Sequence, residues 1–232
     1  KKNKIEILFL YTIPYIEKRQ AEFPLPVLGT MDNRAAYFGW VRKQQCNYGW
    51  DWGIKAVTCG IWRDIRIEAY DTARLEDVMI TQDHSPDGSV DVNVAISTQR
   101  TADKELTAKI YADFNGKERF YGCCGIDKQG KGAAAVTITS PKLWLPNNMG
   151  EQNLYDITVE LFEGEKIIDS CRKRIGLRTL RLERNNDRWG ESFQFTVNGK
   201  PFFAKGANWI PADGILSRIT PQHYRKLLTD AA

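Results

Sequence analysis

The stretch "SVDVNVAIS", Ser89 to Ser97, decides the fold class. Val90, Val92, Val94 and Ile96 fall on one side of an extended chain, with Asp91, Asn93 and Ser97 on the other. Successive strand side chains point to opposite faces, so this run predicts a strand with one buried and one wet face. The pattern recurs outward from there. "ELTAKIYADF" sets Leu106, Ala108, Ile110, Ala112 and Phe114 on one face. "LYDITVELF" sets Tyr155, Ile157, Val159 and Leu161 against Asp156, Thr158 and Glu160. Turn clusters such as "SPDG" at 85–88 and "DKQGKG" at 127–132 separate these runs. Short alternating strands between such turns predict a mainly β chain built of antiparallel β-sandwiches.

The sandwich block, residues 72–180, has the length of an immunoglobulin-like domain. Beyond it, "ESFQFTVNGKPFF" alternates Phe193, Phe195 and Val197 before Asn198-Gly199. That dipeptide most readily supplies the positive φ angles of a type I′ turn, which predicts a tight hairpin. Periodicity becomes helical only at the end. In "SRITPQHYRKLLTDAA", Thr220 can cap, Pro221 can take the first helical position, and Tyr224, Leu227, Leu228 and Ala231 recur at helical spacing. A strand around Phe202 to Lys205 followed by this helix would make one βα unit. An eight-unit barrel takes roughly 250 residues. One unit closes neither a barrel nor a doubly wound sheet, so residues 181–232 read as a hairpin and the first βα unit of a truncated α/β domain, a (β/α)8 barrel or a doubly wound sheet.

Composition narrows the function classes. The chain has 232 residues, 42% hydrophobic, with a net charge of +4 spread among Asp and Glu, so no continuous basic footprint points to nucleic acid. The densest basic run, "CRKRIGLRTLRLER" from Cys171 to Arg184, alternates in part with apolar residues and reads as the solvated face of a strand. Five cysteines, at 46, 59, 123, 124 and 171, form no CxxC pair, and their odd number argues against a complete disulfide framework. Cys123 and Cys124 read as buried thiols in a strand. His84, in a polar turn, and His223, in the last helix, lack the partner spacing of a metal site. No apolar run approaches the roughly 18 residues of a membrane span. The N-terminal "KKNKIEILFLYTIPYIEK" lacks an initiating Met and a small-residue cleavage site, as if cut from something longer. Localisation stays open on this basis, a periplasmic or secreted one included, and oligomeric state is not legible.

"NYGWDWG", Asn47 to Gly53, packs Trp50, Asp51 and Trp52 between two glycines. Sugars present C–H patches on one face and hydroxyls around the rim, so their sites combine aromatic planes with carboxylates that accept hydrogen bonds. The competing reading is two tryptophans in a sandwich core with Asp51 in a turn. Trp62 likewise reads as core, and Trp144 and Trp189 as packing or domain-interface residues.

The wider context, "VRKQQCNYGWDWGIKAVTCGIWRDIRIE" from Val41 to Glu68, resembles the family 2 glycoside hydrolases and specifically their β-mannosidase branch. There an Arg-Lys pair leads into a Gly-Trp-Asp-Trp-Gly loop, then "GIWR" and the last strand of a sugar-binding jelly roll. "SPKLWLPNNMGEQNLYDITVEL", Ser140 to Leu161, resembles the family's immunoglobulin-like domain. "FTVNGKPFFAKGANWIPADG", Phe195 to Gly214, resembles its hairpin and first barrel strand. Two departures are Ile54, where the branch usually has Pro, and Cys46, where it is more often aromatic.

The resemblance implies residues 1–71 as the C-terminal part of the jelly-roll domain, 72–180 as the immunoglobulin-like sandwich, and 181–232 as the start of the barrel. It implies a retaining exo-glycosidase acting on β-mannosides with two glutamates and water, hence no metal or organic cofactor. Both glutamates sit on later barrel strands, so no residue of this chain is given a catalytic role and the chain alone is expected to be inactive. Glu183 and Glu191 read as solvated side chains. By the same resemblance Asp51 clamps mannosyl hydroxyls, Trp50 walls the pocket beside it, Trp209 forms a subsite, and Asn208 and Asp213 are candidates for the rim, where capping or turn roles compete. The alternatives are another family 2 activity (exo-glucosaminidase, β-galactosidase or β-glucuronidase) and a non-catalytic carbohydrate-binding sandwich.

Overall fold

In the computed structural model, which describes residues 4–26 and 38–231, the alternating runs become strands. These are β1 (Ala73–His84), β2 (Val90–Arg100), β3 (Leu106–Phe114), β4 (Glu118–Ile126), β5 (Lys131–Ile138), β6 (Tyr155–Glu163) and β7 (Lys166–Ile175). They form two antiparallel sheets, ordered β1-β2-β5 and β4-β3-β6-β7. Cross-strand partners such as Val92 with Val136 and Ile110 with Val159 fix the register that keeps the apolar set on one side. Both sheets contribute to one core, in which Val92, Ile110, Ile157 and Leu161 are fully buried. Each such side chain contributes about 1.5–3 kcal/mol relative to exposure. This is the antiparallel sandwich that the alternation predicts.

Five shorter strands follow: β8 (Leu180–Glu183), β9 (Asn186–Asp187), β10 (Gly190–Glu191), β11 (Gln194–Val197) and β12 (Lys200–Phe202), with β8-β11-β12 forming a three-stranded sheet and β9 pairing β10. The turn between β11 and β12 has Asn198 at φ 48° and Gly199 at φ 73°, the left-handed pair of a type I′ hairpin. The Asn198 side chain adds two bonds, accepting from the Thr179 amide at 3.0 Å and donating to the Trp144 carbonyl at 3.1 Å. Trp144 is a packing residue, as its sequence position suggests: its amide donates to Leu177 O at 2.9 Å and the Arg178 guanidinium lies 4.9 Å over its ring. Gly176 admits that indole, since a Cβ there would sit 2.7 Å from Trp144 Cβ and Cγ. Trp189 differs, being 78% exposed at the β9–β10 tip.

Glu68–Gly206 is one compact unit, and Lys1–Ile67 with Ala207–Ala232 is the other. The second unit holds helix α1 (Thr12–Glu22), short 3-10 turns at Phe38–Trp40, Gln45–Tyr48 and Leu216–Arg218, and helix α2 (Pro221–Ala231). Helix α2 starts as read from the sequence, with the Thr220 hydroxyl 3.2 Å from the His223 amide it caps.

Several expectations are corrected. Helix α1 precedes α2, so the helical period does not first arise at the end of the chain. The predicted strand at Phe202 to Lys205 is only the end of β12, and the Lys205 amide turns back to Phe203 O at 2.9 Å instead of joining a ladder. Between β12 and α2 no further strand forms among the described residues, so the barrel start expected at 181–232 is not shown here. The segment after "GIWR" is not a strand, and Ile61, Trp62, Ile65 and Ile67 are each at least half exposed, so Trp62 is not core. An extended segment becomes a strand only when a second backbone pairs with it, and none does so here among the described residues. Cys123 is exposed and Cys124 half-buried, on opposite faces of β4, and all five thiols are free. His84 closes strand β1, 3.0 Å from Gln82 Oε1, and is not in the turn itself.

Candidate functional site

The Gly-Trp-Asp-Trp-Gly segment is a tight loop. The 3-10 turn Gln45–Tyr48 ends at Gly49, whose φ of +105° lets its amide reach back to Cys46 O at 3.2 Å. Trp50 and Gly53 then exchange both backbone hydrogen bonds at 3.3 Å, leaving Asp51 and Trp52 at the tip. The Ala56 amide donates to Asn47 O at 3.1 Å and closes the base. Trp50 is 50% exposed and Trp52 36%, so neither is core. Asp51 is exposed, and no hydrogen bond or ion pair engages its carboxylate among the described residues.

Tyr48 lies at that base and is 1% exposed. It packs with Ile13 and Ile16 of α1, and Phe38, Trp40, Val41 and Val57 lie against this small core. The Tyr48 and Thr12 hydroxyls are 3.3 Å apart, and the Tyr48 ring lies 5.8 Å from that of Phe38. At the other end of α1, Gln20 Oε1 accepts from Trp40 Nε1 at 2.9 Å. Reading the sequence missed this support. The Ile13/Ile16 spacing is its one visible signal, in a helix otherwise dominated by polar residues.

The second candidate segment belongs to the same compact unit. Trp209 is 56% exposed, its ring 6.1 Å from that of Tyr224 in α2 and tilted by 33°, and Asn208 is exposed. Asp213 is engaged within the chain: Oδ1 accepts from the Ile215 amide at 2.8 Å, and Oδ2 takes Arg218 Nε at 3.0 Å and Nη2 at 2.9 Å. The Ile215 amide, then Arg218, hold its carboxyl below the usual range. Asp213 thus has the turn role that competes with a rim role. The two segments meet at Ile54, whose Cγ1 lies 3.8 Å from where a Cβ on Gly214 would stand.

Chemically, this loop offers exposed indoles and, at its tip, the unengaged Asp51 carboxylate, a set suited to a neutral hydroxyl-bearing ligand. Glu183 accepts from Thr196 Oγ1 at 3.2 Å and Glu191 pairs with Arg184 at 2.5 Å, as solvated strand residues do. No group of three or more His, Cys, Asp or Glu side chains could hold a metal among the described residues.

Comparison with known proteins addresses the family of the chain. Residues 73–178 match glycosyl hydrolases family 2, and residues 1–63 match the glycosyl hydrolase 2 galactose-binding domain-like family. The chain belongs to glycosyl hydrolases family 2. Among family 2 relatives, beta-mannosidase B of Neosartorya fischeri is 35% identical over 190 residues, covering 80% of this chain, and that of Emericella nidulans is 37% identical over 196. The chain spans 22% of the length of these relatives. The crystal structure of a beta-D-mannosidase from Dictyoglomus thermophilum superposes with a TM-score of 0.81 at 31% identity, over 94% of this chain and 27% of that one. An exo-chitosanase from Amycolatopsis orientalis shares the fold alone, with a TM-score of 0.53 at 17% identity over 69% of this chain and 19% of that one.

Proposed function

We propose that this family 2 chain supplies substrate-binding elements of a retaining, exo-acting β-mannosidase that releases terminal non-reducing β-D-mannose from β-mannosides. In this reading residues 1–71 are the C-terminal part of a sugar-binding jelly roll, 72–180 an immunoglobulin-like sandwich, and 181–232 the hairpin and start of a (β/α)8 barrel. The names of the similar fungal and bacterial proteins support the sugar, and the Asp51 tip carries the reading. An exposed carboxylate with no partner of its own, held between two indoles in a backbone-locked loop, can accept hydrogen bonds from adjacent sugar hydroxyls. Trp50 offers an apolar wall to the C–H face, and Trp209 a further stacking plane. Asn208 is a rim donor, and Asp213 serves the rim only by fixing its turn. Acid/base and nucleophile roles fall to no residue of this chain.

The test is the full-length gene product on an aryl β-mannoside. Asp51→Ala removes a charged acceptor, worth about 1.5–3 kcal/mol, so kcat/KM is expected to fall about 10- to 150-fold. An unchanged kcat/KM would falsify the clamp role. Calorimetric titration of the chain itself with manno-oligosaccharides tests the competing module: useful affinity would favour a self-sufficient binding sandwich.

A further inference from the structure

We infer that helix α1 braces the Asp51 loop, and that Tyr48 and Thr12 are positioning residues for it. The inference rests on the reading of Asp51 as a substrate clamp. Tyr48 is three residues before Asp51 and inside the loop closed by the Ala56–Asn47 hydrogen bond, yet it is almost wholly buried. It packs with Ile13 and Ile16, the two buried residues of α1, in a cluster that Phe38, Trp40, Val41 and Val57 lie against.

The helix is tied at both ends to the segment that leads into the loop. Thr12, at its first turn, meets the Tyr48 hydroxyl at 3.3 Å, and Gln20, eight residues later, holds Trp40 at 2.9 Å. Eight residues of α-helix span about 12 Å, so the two ties fix orientation as well as place. Gln20 is itself oriented by Leu25, whose amide it accepts at 3.1 Å and whose carbonyl it meets at 2.8 Å. The loop tip is held by backbone bonds alone, so the aim of the Asp51 carboxylate is set by the anchoring of its base. An angular error at Tyr48 is carried three residues outward, where placement of the clamp matters.

The experiment is a double-mutant cycle on the full-length gene product with an aryl β-mannoside. Tyr48→Phe and Thr12→Val each remove one hydroxyl while keeping shape. Each is expected to raise KM by about 2- to 10-fold at unchanged kcat, the scale of one modest hydrogen bond. In an Asp51→Ala background the same changes should have no further effect on KM, because a positioning residue acts only through what it positions. Melting temperatures measured alongside separate this from a general loss of folding. If KM stays at its wild-type value in both variants, or rises undiminished in the Asp51→Ala background, the brace is overturned. If Asp51→Ala itself leaves KM and kcat/KM unchanged, it is the clamp reading that fails. A damaging Asp51→Ala with silent Tyr48→Phe and Thr12→Val sinks the brace alone.

Discussion

The two compact units treat the same apolar residue types differently. In Glu68–Gly206, strands ladder to neighbours, and Val90, Ile110, Ile157 and Leu161 disappear into one core. In the unit made of Lys1–Ile67 and Ala207–Ala232, Ile5, Ile7, Ile65 and Ile67 are as apolar but half or more exposed, and the buried core among the described residues is Ile13, Ile16 and Tyr48. Alternation places apolar side chains on one face, but only a paired neighbour and a second layer turn that face into a core. The regular unit supplies stability. The irregular one carries the candidate sugar-contacting residues, on backbone that turns back on itself rather than running in ladders.

The largest expected effect sharpens this contrast directly. Ile157 and Ile16 are both fully buried, and truncation of either to Ala removes the same atoms. Such substitutions cost about 2–5 kcal/mol, the spread reflecting how far the site collapses around the cavity. Ile157, clamped between β3 and β7 by register, is expected near the upper end; Ile16, with few neighbours, near the lower. Denaturant titration of both variants checks it, and equal losses would break the comparison. Next is Gly176→Ala, where the added methyl would meet Trp144 at 2.7 Å. Overpacking of this kind costs about 1–3 kcal/mol. A thermal melt at or above the wild-type midpoint would show that the indole has room to move.

The sandwich was legible because its residues obey one local rule. The valines of β2 and the 106–114 run are buried on the side their period assigns, and Asn198-Gly199 makes the turn its φ preferences predict. The strands expected after "GIWR" and at 202–205 do not form among the described residues, because a strand is a pairwise object and nothing in one segment's sequence states that its partner is in place. Helix α1 was missed for the opposite reason. Its polar face outweighs two isoleucines, and its burial comes from Tyr48, more than thirty positions away (Thr12 and Tyr48 are separated by 36). At the site, the chemistry of the Trp50-Asp51-Trp52 tip was visible as residue types. The mutual Trp50–Gly53 bonds and the engagement of Asp213 by Ile215 and Arg218 are properties of geometry.

The smallest effect tests whether surface charge matters to the regular unit. Asp156 on β6 stands opposite Asp113 on β3, a like-charge pair that by itself disfavours the ladder. Arg172 Nη2 at 2.6 Å and Arg174 Nε at 3.1 Å, both on β7, offset it, and Arg172 above all holds the Asp156 carboxyl below its ordinary value of 3.8. A carboxyl whose folded pKa is depressed contributes stability that is fully present above the unfolded value. That stability is lost as pH falls through the folded one. Both arginines are more than 60% exposed, so solvent screening limits the contribution to at most about 1 kcal/mol. Asp156→Asn should therefore melt slightly below wild type at neutral pH, with the gap closing as pH drops below about 4. A gap that persists undiminished in acid would mean that Asp156 acts through shape, and that the regular unit owes its stability to burial and laddering alone.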